Sequence, residues 1–376
     1  MTLSKLFAKK LYTGDEIIEN CQVEIENNKI KKIKKLDKVN CDDILAPGFI
    51  DIHNHGGYGI DYIDASIDDI KKLQINQASE GISSMLATIG LSKKENILNS
   101  LKNISSYIEN ENDFGTKILG IHMEGPFLSK DKSGVMDDEL TLNPDVSLME
   151  DFIKASRNNI SLMTLAPELK GAKELVSFLI ENNIIASAGH TNAKEEDMVE
   201  IEKYGLDQVT HLYNAMRGFH HRDIGIIGES LYNEKIFVEM VGFDTFSISP
   251  KVWNFTYKLK GPDKMIIATD ALTLKGLKNG EYNYGGKKIN FIDGFAYTDY
   301  YGQNRLPGKP MTFIECVKNV LKFTDAKFED VVKMACVNPA RRLGLRNIGK
   351  IKENYIADIN VFDNNFNLKK TLINGK

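Results

Sequence analysis

Between residues 48 and 271 the chain repeats one pattern: a short apolar run, a loop, then a stretch with apolar residues every three or four positions. Eight apolar runs occur: GFIDIHNH (48–55), SSMLATIG (83–90), KILGIHMEG (117–125), ISLMTLAPE (160–168), IIASAGH (184–190), QVTHLYNAM (208–216), IFVEMVGFD (236–244) and KMIIATDA (264–271). The stretches between them, such as IDDIKKLQINQASEG and LMEDFIKASRN, carry the helical period. A strand covered on both faces reads as a continuous apolar run, so this alternation predicts parallel strands joined by helices. Eight such units make a closed (β/α)8 barrel more economical than an open doubly wound sheet. The two ends differ from the middle. CQVEIENNKIKKIKKL alternates with period two around an Asn-Asn turn, and GKIKENYIADINVFDNNFNLKKTLING gives strands parted by Asn-rich turns. Residues 1–46 and 347–376 are therefore expected to meet in one small β domain beside a barrel of residues 47–346.

Composition narrows the function classes. The chain has 376 residues, 42% of them hydrophobic and 27% charged, which leaves room for a large core. Net charge is -4, and the lysine pairs are dispersed among acids, so they read as solvated helix faces and not as a nucleic-acid surface. Cys21, Cys41, Cys316 and Cys336 form no CxxC pair, which suits free thiols in a reducing compartment. The opening MTLSKLFAKKLYTGDEI lacks the apolar run of a signal peptide, and no segment has the length of a membrane span. A cytoplasmic enzyme that binds neither membrane nor nucleic acid is expected.

The chemistry gathers at strand ends. His53 and His55 end the first run, Glu124 the third, His190 the fifth and Asp270 the eighth, while His211 lies in the sixth. In a barrel the C-terminal strand ends form the active-site face, so these residues converge on one mouth. His53 and His55 are two apart on a strand and point to the same side. Imidazole and carboxylate together suit zinc or another borderline divalent ion. One ion can sit among His53, His55, Glu124 and Asp270, and a second among Glu124, His190 and His211, with Glu124 bridging. Bound water then ionises near neutral pH and attacks a polarised carbonyl, while Asp270 takes its proton and passes it to the leaving amine.

These residues lie in motifs that resemble the N-acetylglucosamine-6-phosphate deacetylase family of the amidohydrolase superfamily: APGFIDIHNHGG, GIHMEGPF, SAGHT, THLYNAM, ATDA, GEYNYGG and NPARRLGL. The similarity runs over nearly the whole chain, and HxEGPF with HLYNAM is its most specific part. The resemblance implies an eight-stranded barrel with a small β-sandwich from both chain ends. It implies Glu124, His190 and His211 as ligands of the main catalytic metal and Asp270 as general acid/base. It also implies one or two divalent ions per subunit, zinc first, with iron, manganese or cobalt as substitutes. By the same resemblance Asn214, the Ala215 backbone and Arg222 grip a substrate phosphate, Arg222 reaching the neighbouring active site in a homodimer.

Three positions depart from the family pattern. Met136 and Ser247 stand where the family has substrate-contacting histidines, and Lys309, in Leu306-Pro307-Gly308-Lys309, stands where it has a small hydroxyl. Methionine donates no hydrogen bond, and serine is too short to reach what an imidazole reaches. The expectation is a metal-dependent amide hydrolase that removes the acetyl group from an N-acetyl amino-sugar 6-phosphate, N-acetylglucosamine 6-phosphate or a close analogue. The competing readings are an amidohydrolase for another N-acyl or cyclic amide and a sugar-phosphate binding protein without catalysis.

Overall fold

The computed structural model describes residues 3–110, 115–134, 136–242, 247–284, 287–297 and 309–376. The end of the IFVEMVGFD run, residues 285–286 of the GEYNYGG motif and Leu306-Pro307-Gly308 lie outside the described residues.

Eight parallel strands form one sheet in chain order: β1 (Phe49–Asp51), β2 (Ile82–Ile89), β3 (Lys117–Glu124), β4 (Ile160–Leu165), β5 (Ile185–Ala188), β6 (Gln208–Val209), β7 (Phe237–Val241) and β8 (Met265–Ala268). Each of the eight apolar runs supplies one strand. Helices follow them: α1 (Ile67–Ala78), α2 (Lys94–Asn110), α3 (Val146–Ala155), α4 (Ala172–Glu181), α5 (Glu195–Glu202), α6 (Gly225–Tyr232), α7 (Pro250–Lys260) and α8 (Phe313–Phe323). Several start where the sequence stops them from starting earlier. Ser66 and Asp145 accept hydrogen bonds from Asp69 N and Leu148 N, and Thr312 with Glu315 makes a capping box.

Side-chain alternation sorts the strands into an outer and an inner face. Met85, Ala87 and Ile89 of β2 join the large core under the helices, as do Met163 and Leu165 of β4. The intervening residues turn inward. Ile50, Leu86, Leu162, Phe237 and Ile266, from five different strands, form one cluster closed from below by Ala340 and Ile348. Above this apolar floor the inward positions become polar: Thr88, His122, Thr164, Ser187, Thr210 and Glu239, all buried. The barrel interior is therefore packed, with a dry floor beneath and polar chemistry at the C-terminal strand ends.

The ladder is not continuous around the ring. Between β8 and β1 the contact is an isolated bridge, Asn54 to Ala271, with Asp270 N to His53 O at 2.9 Å and His55 N to Ala271 O at 2.8 Å. Side chains supply the rest of that seam. Thr269 Oγ1 donates to Asp51 at 2.6 Å, and Asn54 Nδ2 donates to Asp51 at 2.9 Å.

The chain ends build a second sheet, ordered Leu368–Leu372, Ile359–Phe362, Ile44–Pro47, Leu3–Tyr12, Ile17–Glu26, Lys29–Lys35. It folds over a core of its own that includes Leu11, Val23, Leu45, Ile359 and Leu372. The Asn27-Asn28 turn read from the sequence is there, both residues in the left-handed region at φ 50° and 64°, which asparagine tolerates and a hairpin turn requires. Between β8 and α8 lies a three-stranded antiparallel insertion, Gly280–Tyr284, Lys287–Ile292 and Phe295–Tyr297.

Candidate metal and catalytic centre

The strand ends bring all six expected metal and acid/base residues together. Glu124 stands at the centre. Its Oε1 lies 2.9 Å from His211 Nε2, 3.2 Å from His190 Nε2 and 3.5 Å from His53 Nε2, and its Oε2 lies 3.1 Å from His55 Nε2. Asp270 Oδ1 faces His53 and His55 Nε2 at 3.4 and 3.6 Å. The ligand atoms fall into two groups, His53 with His55 and Asp270, and Glu124 with His190 and His211, each within 4.8 Å. His53 Nε2 and His55 Nε2 approach to 3.2 Å. Nitrogen lone pairs that meet in a buried space alongside two carboxylates need a cation between them, so the donor set fits divalent metal.

The buried charges of the centre offset one another. Burial pulls the His53 imidazole down, but Asp270, Glu239 and Glu124 outweigh it and lift His53 well above its ordinary value. Burial likewise pushes Glu124 up, yet His53 and His190 hold it well below the usual carboxylate range. At His122 the help from Glu124 is outweighed. Burial first, then His53, keep it well below an ordinary imidazole, so it is neutral. Its ring contacts Thr88 Oγ1 at 3.3 Å and Thr164 Oγ1 at 2.8 Å, and Thr164 continues through Thr210 to Ser187.

The backbone at the centre is unusual. His190, His211 and Asp270 have φ of 47°, 34° and 47°, and Tyr213 and Ala215 are also left-handed at 85° and 50°. Non-glycine residues adopt this region at a cost of order 1–3 kcal/mol, and such strain gathers at functional sites. Here local bonds hold it: Leu212 N to Glu239 O at 2.9 Å, Thr191 N to Ala215 O at 3.1 Å, and Asp270 N to His53 O.

Several supporting residues were not read from the sequence. Glu239 is fully buried; its Oε1 accepts from His53 Nδ1 at 2.8 Å and from His211 N at 3.1 Å. Glu168, after β4, accepts from Thr191 Oγ1 and from Asn192 N at 2.6 Å, which fixes the loop carrying His190. The Lys132 carbonyl holds His190 Nδ1 at 2.7 Å. A charged residue inside an apolar parallel strand, as in IFVEMVGFD, was the available sign for Glu239. Outer partners of metal-binding histidines fix ring orientation, and their loss typically costs 10- to 100-fold in metal affinity or activity. Glu239→Gln is expected to weaken metal binding by about that factor, read by competition with a chromogenic chelator. Wild-type affinity in the variant would show that Glu239 only fills space.

The substrate positions fall less uniformly. A Cβ built on Gly90 would meet His55 Cε1 at 3.3 Å and Met136 Sδ at 3.9 Å, so Met136 stands beside the His55 ring. Gly134 likewise faces His190 and Ala215. Asn214 and Ala215 are half-buried after His211. Arg222 is exposed, in a loop where the His220 and His221 rings lie 4.1 Å apart. Ser247 is half-buried and precedes α7. Lys309 turns to the insertion: its Cε lies against Gly294, where no Cβ would fit, and its Nζ is 6.0 Å from the Phe295 ring centre.

The amidohydrolase family pattern matches residues 44–233 and 261–376. The chain belongs to the amidohydrolase family. Among curated proteins this amidohydrolase is 33% identical over 346 residues to the N-acetylglucosamine-6-phosphate deacetylase of Bacillus subtilis (strain 168), covering 89% of this chain and 86% of that protein. It is 26% identical over 375 residues to the N-acetylgalactosamine-6-phosphate deacetylase of Escherichia coli O157:H7, covering 99% and 98%. Among solved structures, the N-acetylglucosamine-6-phosphate deacetylase of Thermotoga maritima is 29% identical with a TM-score of 0.89, covering 99% of both chains. The family resemblance read from the motifs and the barrel with its end-built sheet both stand.

Proposed function

We propose that this amidohydrolase cleaves the N-acetyl amide of an N-acetyl amino-sugar 6-phosphate, N-acetylglucosamine 6-phosphate or a close analogue, giving the amino-sugar phosphate and acetate. The observation that carries this is the Glu124 carboxylate ringed by four imidazoles with Asp270 at its edge, in a chain whose relatives act on such sugars. Divalent metal, zinc first, would be held by His53, His55, Glu124, His190 and His211, and would supply Lewis acidity toward the carbonyl and lower the pKa of the attacking water. Asp270 accepts the proton from the attacking water and returns it to the amine as the C–N bond breaks. The apolar floor of the barrel closes the centre from below, where the buried charges interact more strongly than in water. Asn214 and the Ala215 backbone orient the phosphate. The free cysteines suit a cytoplasmic setting.

Arg222 is assigned to the phosphate of the neighbouring subunit in a homodimer. An exposed arginine commonly pairs with a nearby acid, but among the described residues Asp223 pairs with Arg217 instead, with Arg217 Nε to Asp223 Oδ2 at 2.9 Å. Phe219, 60% exposed three residues earlier, gives the loop an apolar contact for a second copy.

The test is amine release from N-acetylglucosamine 6-phosphate, its galactosamine and mannosamine epimers and the unphosphorylated sugar, by wild type and Arg222→Ala. Charged hydrogen bonds contribute about 1.5–3 kcal/mol, so Arg222→Ala should raise KM for the phosphorylated sugar roughly 10- to 100-fold and leave the unphosphorylated one unchanged. Equal turnover of phosphorylated and plain sugars would sink the phosphate assignment. A second reading, an amidohydrolase for another N-acyl amide, draws on Met136 beside His55, which offers no donor to a sugar hydroxyl. Turnover of none of the three phosphates by metal-loaded protein would favour it.

A further inference from the structure

Behind the catalytic centre lies a buried ion pair that the chemistry above does not use. Lys275 is fully buried and Glu80 almost so; Lys275 Nζ lies 2.8 Å from Glu80 Oε1 and 2.6 Å from Gln77 Oε1. The Glu80 carboxylate is saturated: Oε1 also accepts from the Tyr58 hydroxyl at 2.7 Å, and Oε2 accepts from Phe313 N, the first residue of α8, at 2.9 Å. From Gln77 the bonds run on toward the centre. Gln77 Nε2 donates to Asn54 Oδ1 at 3.1 Å, Asn54 Nδ2 to Asp51 Oδ2 at 2.9 Å, and Thr269 Oγ1 to the same Asp51 oxygen at 2.6 Å. Asp51 Oδ1 accepts from Thr269 N at 3.2 Å.

The placement of these residues matters more than their number. Asn54 sits between His53 and His55. Thr269 immediately precedes Asp270, and Lys275 follows it on the same loop. The network spans the one interval of the barrel where the strand ladder gives way to a single bridge. It therefore fixes β1, which carries two ligands, against the loop that carries the proton-transfer group. Asp270 is held at φ 47°, in the left-handed region that aspartate tolerates better than most residues but still enters at a cost, and the bonds of this seam surround it.

We propose that the Glu80–Lys275 pair is a positioning device for Asp270, anchoring the seam between the first and last barrel strands from α1 and α8. The inference rests on the amide-hydrolase reading only for its kinetic arm. The test compares wild type with Glu80→Gln/Lys275→Met, which removes both buried charges together, and with Gln77→Leu, which leaves the pair intact and breaks the relay. Hydrogen exchange read by mass spectrometry needs no substrate. Peptides covering 268–275 should exchange faster in both variants, while peptides from β3 and β4 stay as in wild type. With N-acetylglucosamine 6-phosphate, kcat should fall about tenfold or more with KM within twofold and metal content unchanged, as expected when a reacting group is misplaced and not lost. Unchanged exchange at 268–275, or faster exchange with wild-type kcat, overturns the proposal. If the double variant does not fold, Gln77→Leu alone decides by the same two outcomes. A wild type inactive on every sugar phosphate refutes the proposed function and leaves the exchange arm to decide this inference.

Discussion

Asp270→Asn is expected to lower kcat by about 10²- to 10⁴-fold, the usual contribution of a positioned general acid/base. Six side chains form the centre, and five are nearly closed to solvent. The side chains of His53, His55, Glu124, His190 and His211 are 0, 8, 4, 9 and 2% exposed, while that of Asp270 is 27% exposed. Asp270 is thus the carboxylate that faces the cavity where substrate must enter. Asparagine keeps its shape and one oxygen for His53 and His55 to face, but it cannot take a proton at neutral pH. KM, and the metal held by Glu124, His190 and His211, should therefore stay close to wild type while kcat collapses. Steady-state kinetics with metal analysis on the same preparation checks this. A variant with kcat near wild type would move the proton-transfer role to another group.

Glu124→Ala is expected to act differently. Glu124 bonds or faces all four imidazoles, and no other described carboxylate does. Its removal leaves His190 and His211 as a two-nitrogen group, too few for a stable borderline-metal site. Loss of several kcal/mol of carbonyl and water activation corresponds to about 10³-fold or more in kcat/KM. A ligand that binds only the folded state raises the unfolding temperature, so metal should stabilise the wild type measurably and the variant much less. Thermal melts with and without added zinc, run beside kinetics, read both effects. Full metal content and activity in the variant would refute the metal mechanism.

The fold was legible because its strands announce themselves one by one. Each apolar run is a strand buried on both faces, and the switch to period two marks the end sheet. The six central residues were legible for a related reason: five are polar residues at or near the end of an apolar run, and His211 lies within the sixth run. Glu239, His122 and Asp51 were harder. They lie within apolar runs, where a lone polar residue reads as an interruption, and the partners that explain them are far away in sequence, as with His53 and Glu239. The Glu80–Lys275 pair was invisible, since Glu80 ends an ordinary-looking amphipathic stretch, Lys275 lies in a loop, and only the fold brings them together. Lys309 shows the converse limit. The family resemblance implied a substrate role for it, and its side chain lies beside Gly294 of the insertion, a neighbour the sequence did not indicate.

The strand Ile44–Pro47 lies between Leu3–Tyr12 on one side and Ile359–Phe362 on the other, and Gly48 alone separates it from β1. During synthesis its second edge stays open until the far end of the chain has left the ribosome. The barrel's helices and strands are all made by then, so the last pairing to form is the one that locks the register of the strand leading to His53 and His55. Contacts so distant along the chain close slowly, and an open strand edge in the meantime can pair with another chain. Building one sheet from both chain ends thus ties the register of the strand before His53 and His55 to residues more than three hundred positions away.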